Sequence, residues 1–280
     1  MQERSFCRIL TMEKEMYKIG LSTKKKEVNE ELFKQYAAAG IKAMELVLSE
    51  WEPLPLSFAE YKELSDKYGV EIISAHFPCD RADIADESVF DYTLKTLTDV
   101  IKEASESGIH RFVAHAGSDE DNETSEARLK RLKTAKKMLN LLAEYAAEFN
   151  SVIAVETLPR GCIGRDIDEI SELLGVNDKL KVCLDVNHIF RNDSSDFIRK
   201  FGKKIVTTHI SDYDFIYERH WMPGEGLIDW DRLIETLKDV GYDGPWLYEV
   251  GFDYSSKLGR RYNCNDFIDN VNKILAPHFL

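Results

Sequence analysis

Residues 152–159 read VIAVETLP and residues 181–188 read KVCLDVNH. Each opens with a short apolar run that closes on an acidic side chain, Glu156 in the first and Asp185 in the second. Short apolar runs rich in β-branched residues are strand signals. Outward from Val152–Glu156 and Lys181–Asp185, such runs recur at Tyr17–Leu21, Ala43–Leu48, Glu71–His76, Arg111–His115, Ile205–Ile210 and Trp246–Val250, which makes eight strands. Between them, segments such as Asn29–Ala39, Phe58–Tyr68, Ser88–Ser107, Glu126–Phe149 and Asp231–Val240 place apolar residues at three- and four-residue steps. That is the period of a helix with one buried face. Glycine follows at Gly40, Gly108 and Gly241, where a left-handed residue can stop a helix ahead of the next strand. Alternating strands and helices specify a parallel α/β fold. Eight such units in a chain of 280 residues predict one closed (β/α)8 TIM barrel over residues 17–280, with residues 1–16 as a short N-terminal extension.

Composition narrows the partners. The chain is 44% hydrophobic and 31% charged, enough for a large core, and no segment approaches the ~20 apolar residues of a membrane span. Fifty acidic against 37 basic side chains leave a formal charge of −13, which disfavours nucleic acid as a partner. Cys7, Cys79, Cys162, Cys183 and Cys264 are odd in number and contain no CxxC pair, so a reducing cytoplasm is expected rather than a disulfide framework or a thiolate zinc site. The N-terminal MQERSFCRILTMEKEMYK scatters charges through what would be the apolar stretch of a secretion signal.

The chemistry is concentrated where the strands end. His76 closes SAHFP, His115 closes FVAHAG, Glu156 and Asp185 close the runs quoted above, His209 ends VTTHISD and Glu249 ends WLYEV. In a (β/α)8 barrel the C-terminal ends of the strands meet around one mouth, where active sites form. A single histidine after a strand is ordinarily a hydrogen-bonded structural residue, but six metal-capable side chains at six strand ends are not independent accidents. Buried carboxylates need compensation for lost hydration, and a divalent cation supplies it directly. Glu156, Asp185, His209 and Glu249 offer mixed oxygen and nitrogen ligands, a set suited to manganese, cobalt, magnesium or zinc. His188 stands three residues past Asp185, and the loop ERHWMPGEG carries Glu218, Arg219, His220 and Trp221 toward the same mouth as further candidates for metal or substrate.

Taken together, AHFP, VAHAG, AVETLP, CLDVNH, THISDYD, ERHWMPGEGLIDW and YEV resemble the xylose-isomerase-like barrel superfamily, and bacterial sugar phosphate isomerase/epimerase proteins in particular. The resemblance runs from about Tyr17 to about Ala276. It implies Glu156, Asp185, His209 and Glu249 as ligands of one divalent metal, with Glu156 and Glu249 also exchanging a proton beside a sugar carbonyl. His188 and Arg219 would orient substrate oxygens, and Trp51, Phe77, Tyr213, Phe215 and Trp221 are candidate apolar walls. The expected partner is a small sugar, sugar phosphate or polyol, and a homo-oligomer is compatible with this reading. The same superfamily holds endonuclease IV, a three-zinc phosphodiesterase, and His76, His115, His188, Glu218 and His220 fall where its extra ligands stand. The nuclease has aspartate where this chain has Glu218, and the first strand, IGLST, lacks the histidine-bearing start of that enzyme. The multi-zinc phosphodiesterase is therefore the alternative reading.

The acidic balance makes a direct expectation. Duplex DNA binding should be negligible at physiological ionic strength and steeply weakened by salt, because non-specific affinity comes from Lys and Arg neutralising phosphates. Fluorescence anisotropy with intact and abasic duplexes checks this; tight, metal-dependent binding to the abasic duplex would point to the nuclease.

Overall fold

The fold is a computed structural model that describes residues 16–23, 27–120, 123–191, 193–252, 254–255 and 258–279. Eight parallel strands alternate with helices: β1 (Ile19–Ser22), α1 (Glu30–Ala39), β2 (Ala43–Val47), α2 (Phe58–Tyr68), β3 (Glu71–His76), α3 (Phe90–Glu106), β4 (Arg111–Ala114), α4 (Ser125–Glu148), β5 (Val152–Glu156), α5 (Ile167–Leu174), β6 (Lys181–Asp185), α6 (Ser194–Phe201), β7 (Ile205–His209), α7 (Trp230–Asp239), β8 (Trp246–Tyr248) and α8 (Cys264–Asn270). Neighbours in sequence are neighbours in the sheet, and β1 pairs with both β2 and β8. The ring closes just past the ends of β7 and β8: Ile210 N donates to Leu247 O at 2.8 Å and Glu249 N donates to Ile210 O at 3.1 Å. This is the predicted (β/α)8 barrel, over the predicted strands. Cys7 and most of the expected N-terminal extension lie outside the described residues.

The boundaries of five strands differ in an informative way. Leu48, His115, Ile210 and Val250, expected inside strands, stand one or two residues beyond β2, β4, β7 and β8, where the chain bends into the loops of the mouth. Tyr17, expected to open β1, instead packs its ring against Tyr242, Trp246 and Phe279. The helix stops hold as read: Gly40, Gly108 and Gly241 take φ of 84°, 88° and 70°, the left-handed region that costs a residue with a Cβ.

Two layers of core follow from the strand period of two. The outward side chains, such as Met44, Leu46, Phe112, Val155 and Leu184, join helix residues such as Phe33, Tyr36, Leu97 and Leu139 in one continuous apolar cluster. Each fully buried aliphatic or aromatic side chain there contributes about 1.5–3 kcal/mol. The inward layer is small: Ala43, Ile73 and Leu247 pack together, as do Val113, Ala154 and Cys183. Gly20 belongs to this tight interior, since a Cβ there would lie 2.7 Å from Leu247 Cδ1 and 3.1 Å from Ala43 Cβ.

Gly20→Val should therefore overpack the barrel floor and destabilise the fold by about 1–3 kcal/mol. A lowered urea midpoint with an unchanged slope is the expected signature; a midpoint equal to that of the parent would show that the floor has room.

Candidate metal centre

The small interior residues set the height at which the chemistry begins. Two residues beyond Val113, Ala154, Cys183, Thr207 and Leu247 stand His115, Glu156, Asp185, His209 and Glu249. The pleat keeps residues i and i+2 on one face, so a strand that packs its small residue in the interior presents the next one at the mouth. Glu156, Asp185, His209 and Glu249 each offer a ligand atom within 4.8 Å of the others. Three further groups meet the same limit: His76, His115 and Glu156; Glu156, Cys183 and His209; and His188, Glu218 and His220. Glu156 belongs to three of the four groups.

Glu156 is 1% exposed. Its Oε2 lies 3.1 Å from His76 Nε2 and 3.2 Å from His115 Nε2, and its Oε1 lies 3.1 Å from His209 Nδ1 and 3.5 Å from His188 Nδ1. His209 Nδ1 also faces Asp185 Oδ2 at 3.9 Å and Glu249 Oε2 at 3.5 Å. Burial alone would raise the Glu156 pKa, but the His209 and His115 imidazoles hold it well below the usual carboxylate range. Asp185 goes the other way: burial pushes it up to about 7 against the pull of His188, with Glu249 and Glu156 adding repulsion. Asp185 Oδ2 is completely buried and makes no hydrogen bond among the described residues; His188 Nδ1 lies 3.2 Å away, but it is also 2.9 Å from Thr157 O, which takes its proton. Such an atom needs a positive partner.

The imidazoles are oriented as ligands are. His76 Nδ1 donates to Phe77 O at 2.8 Å, His188 Nδ1 to Thr157 O at 2.9 Å, and His220 Nδ1 to Glu249 O at 3.1 Å. Carbonyl oxygens only accept, so the Nδ1 proton is fixed in each case and the neutral ring turns its Nε2 lone pair toward a carboxylate. Lone pair against carboxylate is repulsive unless a proton or a cation lies between them. The proton solution is visible in the shifts: burial lowers the pKa of His76, His188 and His209, but neighbouring anions outweigh it and raise all three. A divalent cation supplies the same positive charge and releases those protons. The residues fit a metal.

The group of His188, Glu218 and His220 joins a residue that follows β6 to two from the loop after β7. Asp212, fully buried, accepts from Tyr213 N, Gly224 N, Ile228 N and Trp230 Nε1 at 2.8–3.2 Å. Its backbone pairs with that of Trp221 in both directions. Gly226 lies so close that a Cβ would come within 2.3 Å of both Asp212 Oδ1 and Tyr213 O. The folded-back loop puts Glu218 Oε1 2.9 Å from His220 Nε2 and 3.4 Å from His188 Nε2. Those contacts hold the Glu218 carboxyl well below its usual range. His220 takes a left-handed φ of 49°, a strained conformation for a residue with a side chain, held by the contacts on either side of it.

Arg219 and Trp221 are placed differently. The Arg219 guanidinium pairs with Asp214 at 2.9 Å and lies over the Tyr217 and Trp221 rings, and neither Arg219 nor Trp221 lines the cleft above the centre. Of the candidate aromatic walls, Phe77 lines the cleft, Tyr213 is buried with its hydroxyl donating to Ile189 O, and Trp51 and Phe215 are exposed. Two residues that the sequence reading did not single out are integral to the site. Asp212 organises the loop, and Glu45, on β2, accepts from His209 Nε2 at 3.0 Å. The signal for Glu45 was available: it lies two residues past the inward Ala43, the spacing shared by the other strand-borne groups.

The cleft over the centre holds about 820 Å³ and is walled by Val47–Ser49, Glu52–Pro55, Phe77, Cys79 and Asp80. Its described lining includes Glu27, Glu52, Asp80, Glu156, Glu218 and Glu249 and no Lys or Arg. Residues 24–26, all lysine, lie outside the described residues.

Residues 33–261 match the profile of the xylose isomerase-like TIM barrel family. Among solved structures, a D-tagatose 3-epimerase-like protein superposes with a TM-score of 0.78 at 23% identity, covering 94% of this chain and 100% of that one. An AP endonuclease of family 2 from Brucella melitensis reaches 0.74 at 19% identity, with 92% and 99% covered. D-allulose 3-epimerase from Methylomonas reaches 0.73 at 17%, with 95% and 98% covered. At these identities the likeness is one of fold, and it spans sugar epimerases and an endonuclease alike.

Asp185→Ala and His209→Ala are expected to lower bound metal by at least tenfold while leaving the barrel folded, because the apolar layers that hold it lie below and outside the centre. Elemental analysis of purified variants, with circular dichroism as the fold control, tests this. Parental metal content in both variants would remove the four-residue site.

Proposed function

Because the chain belongs to the xylose isomerase-like TIM barrel family, we propose that it is a divalent-metal-dependent isomerase or epimerase of a small sugar, sugar phosphate or polyol, acting by proton transfer next to a carbonyl. The observation that carries this reading is the convergence of Glu156, Asp185, His209 and Glu249 on one point at the base of a cleft sized for a small molecule. Pockets of ~300–1,000 Å³ suit ligands of that size. When bound there, a divalent cation supplies Lewis acidity toward adjacent carbonyl and hydroxyl oxygens, which acidifies the intervening C–H. Glu156, Asp185, His209 and Glu249 would hold it.

The protein's own groups then divide the proton work. Both oxygens of Glu156 are engaged by imidazoles, so neither is left open toward a substrate proton. Glu249, at the end of β8, faces the same histidine, His209, at 3.5 Å and is the better placed carboxylate to take and return a proton. Two carboxylates on opposite faces of a carbon would invert it; one carboxylate on one face would move the carbonyl. Phe77, Pro53, Leu54 and Pro55 provide an apolar wall that limits water in the cleft. Cys162 and Cys183 are free thiols, which is in keeping with a cytoplasmic setting.

A second reading, phosphoester hydrolysis at a multi-zinc centre, is favoured by one specific observation: His76 with His115, and His188 with Glu218 and His220, complete two more ligand groups beside the first. The cleft weighs against DNA as that substrate. Among the described residues its lining is acidic, and a duplex backbone would meet Glu27, Glu52 and Asp80 there.

With divalent metal and a panel of ketoses and ketose phosphates in deuterated water, deuterium should enter the carbon beside the carbonyl, and chelation should abolish the exchange. Glu249→Gln that retains its metal should lose on the order of 10²–10⁴-fold in exchange rate, the usual scale of general acid–base catalysis. Parental exchange in that variant would remove Glu249 as the base. No exchange with any sugar, together with three metals per chain and metal-dependent cleavage of bis-p-nitrophenyl phosphate, would replace this reading with the second.

A further inference from the structure

Glu45 is a fully buried carboxylate in the middle of the barrel wall, and it belongs to none of the ligand groups. Its Oε1 lies 3.0 Å from His209 Nε2, and its Oε2 accepts the Ser74 hydroxyl at 2.7 Å. The register of β2 against β3 shifts at this point. Met44 faces Ile72 and Glu45 faces Ser74, so Ile73 is the extra residue that brings the hydroxyl opposite the carboxylate. Such irregularities re-aim side chains beside active sites.

An ionised carboxylate only accepts, so the ring nitrogen that faces it carries the proton. Nε2 of His209 faces Glu45, whereas Nδ1 faces Glu156, Asp185 and Glu249 at 3.1, 3.9 and 3.5 Å; a cation held among those three would displace any proton on Nδ1 and leave the ring with its proton on Nε2, toward Glu45. The opposite tautomer would place an N–H where a cation must accept a lone pair, and it would leave Glu45 facing a bare ring nitrogen in a site with no exposure. We propose that Glu45 is a positioning residue for the metal centre, which fixes the tautomer of His209 and strengthens Nδ1 as a donor to the cation. This rests on the metal reading of the preceding subsection and adds to it the residue on which the histidine ligand depends. It also accounts for a carboxylate that makes no contact with the cleft, since Glu45 is absent from the cleft lining.

Titration of the metal-free, full-length protein with manganese(II), followed by calorimetry, tests the assignment. The binding event lost in His209→Ala identifies the ion in question. Glu45→Gln removes the fixed negative acceptor while nearly keeping its shape, and it should weaken that event about 10- to 100-fold, the usual scale for a group that orients a ligand. The double variant Glu45→Gln/His209→Ala should bind no more weakly than His209→Ala alone. Parental affinity in Glu45→Gln, or losses that simply add in the double variant, would overturn the role. No manganese binding by the parent would overturn the metal reading itself, a different result. Should Glu45→Gln fail to fold, nitrogen-15 spectra of histidine-labelled, zinc-loaded parent decide the question. A protonated Nε2 and a metal-bound Nδ1 on His209 are expected, and the reverse pattern would refute the proposal.

Discussion

One carboxylate and four imidazoles hold this site together. Glu156 lies 3.1–3.5 Å from ring nitrogens of His76, His115, His188 and His209, which come from or just follow four different strands. With Asp185, Glu249 and Glu45 close by, the centre gathers more negative charge than buried surroundings tolerate without cations. Protons on His76, His188 and His209 can balance it, as the raised pKa values of those three record, but they leave Asp185 Oδ2 without a hydrogen bond among the described residues. A divalent ion satisfies the carboxylates and the imidazole lone pairs together. The strand ends are thus drawn toward one point by electrostatics, on a barrel already closed by backbone pairing and apolar burial.

Stability and chemistry are separated along the barrel axis. Ala154, Cys183, Val113 and Leu247 fill the interior immediately before the ligands on the same strands, and the larger apolar cluster lies outside the sheet against the helices. Neither layer draws on the polar groups above it. This permits a mouth crowded with repelling groups, whose unfavourable energy is carried by a core that does not depend on them.

The sequence reveals what local pattern dictates. Strand periods, left-handed glycines and the strand-end placement of His76, Glu156, Asp185, His209 and Glu249 are all local, and the barrel follows from their repetition. Glu45 was harder to see because AMELV reads as an ordinary strand. Its burial comes from ring closure, and its partner Ser74 from a register shift between β2 and β3 that no single segment encodes. Asp212 sits within SDYD, a run that looks like a polar turn, and its four donors come from positions up to Trp230 that meet only when the loop folds back. Arg219 was read toward the cleft because it lies between two candidate ligands, but adjacent residues of an irregular loop need not share a face. Asp214, Tyr217 and Trp221 hold it elsewhere.

The ligand groups differ in what supports them, and this bears on how the centre can vary. The four-residue group stands on β5, β6, β7 and the end of β8, so the barrel wall fixes its geometry. The group of His188, Glu218 and His220 depends on a loop whose shape rests on Asp212, on the close approach of Gly226 and on a strained His220 backbone. A rigid site can keep one cation through many changes of loop, whereas the loop-borne site exists only while the loop holds its fold. The described cleft walls carry Glu27, Glu52 and Asp80, whereas the imidazoles of His76, His115 and His188 lie in the lining beside the centre, so a negative charge on a substrate would be met at the centre rather than along those described walls. The number of cations that the loop allows would therefore set how anionic a substrate the cleft accepts.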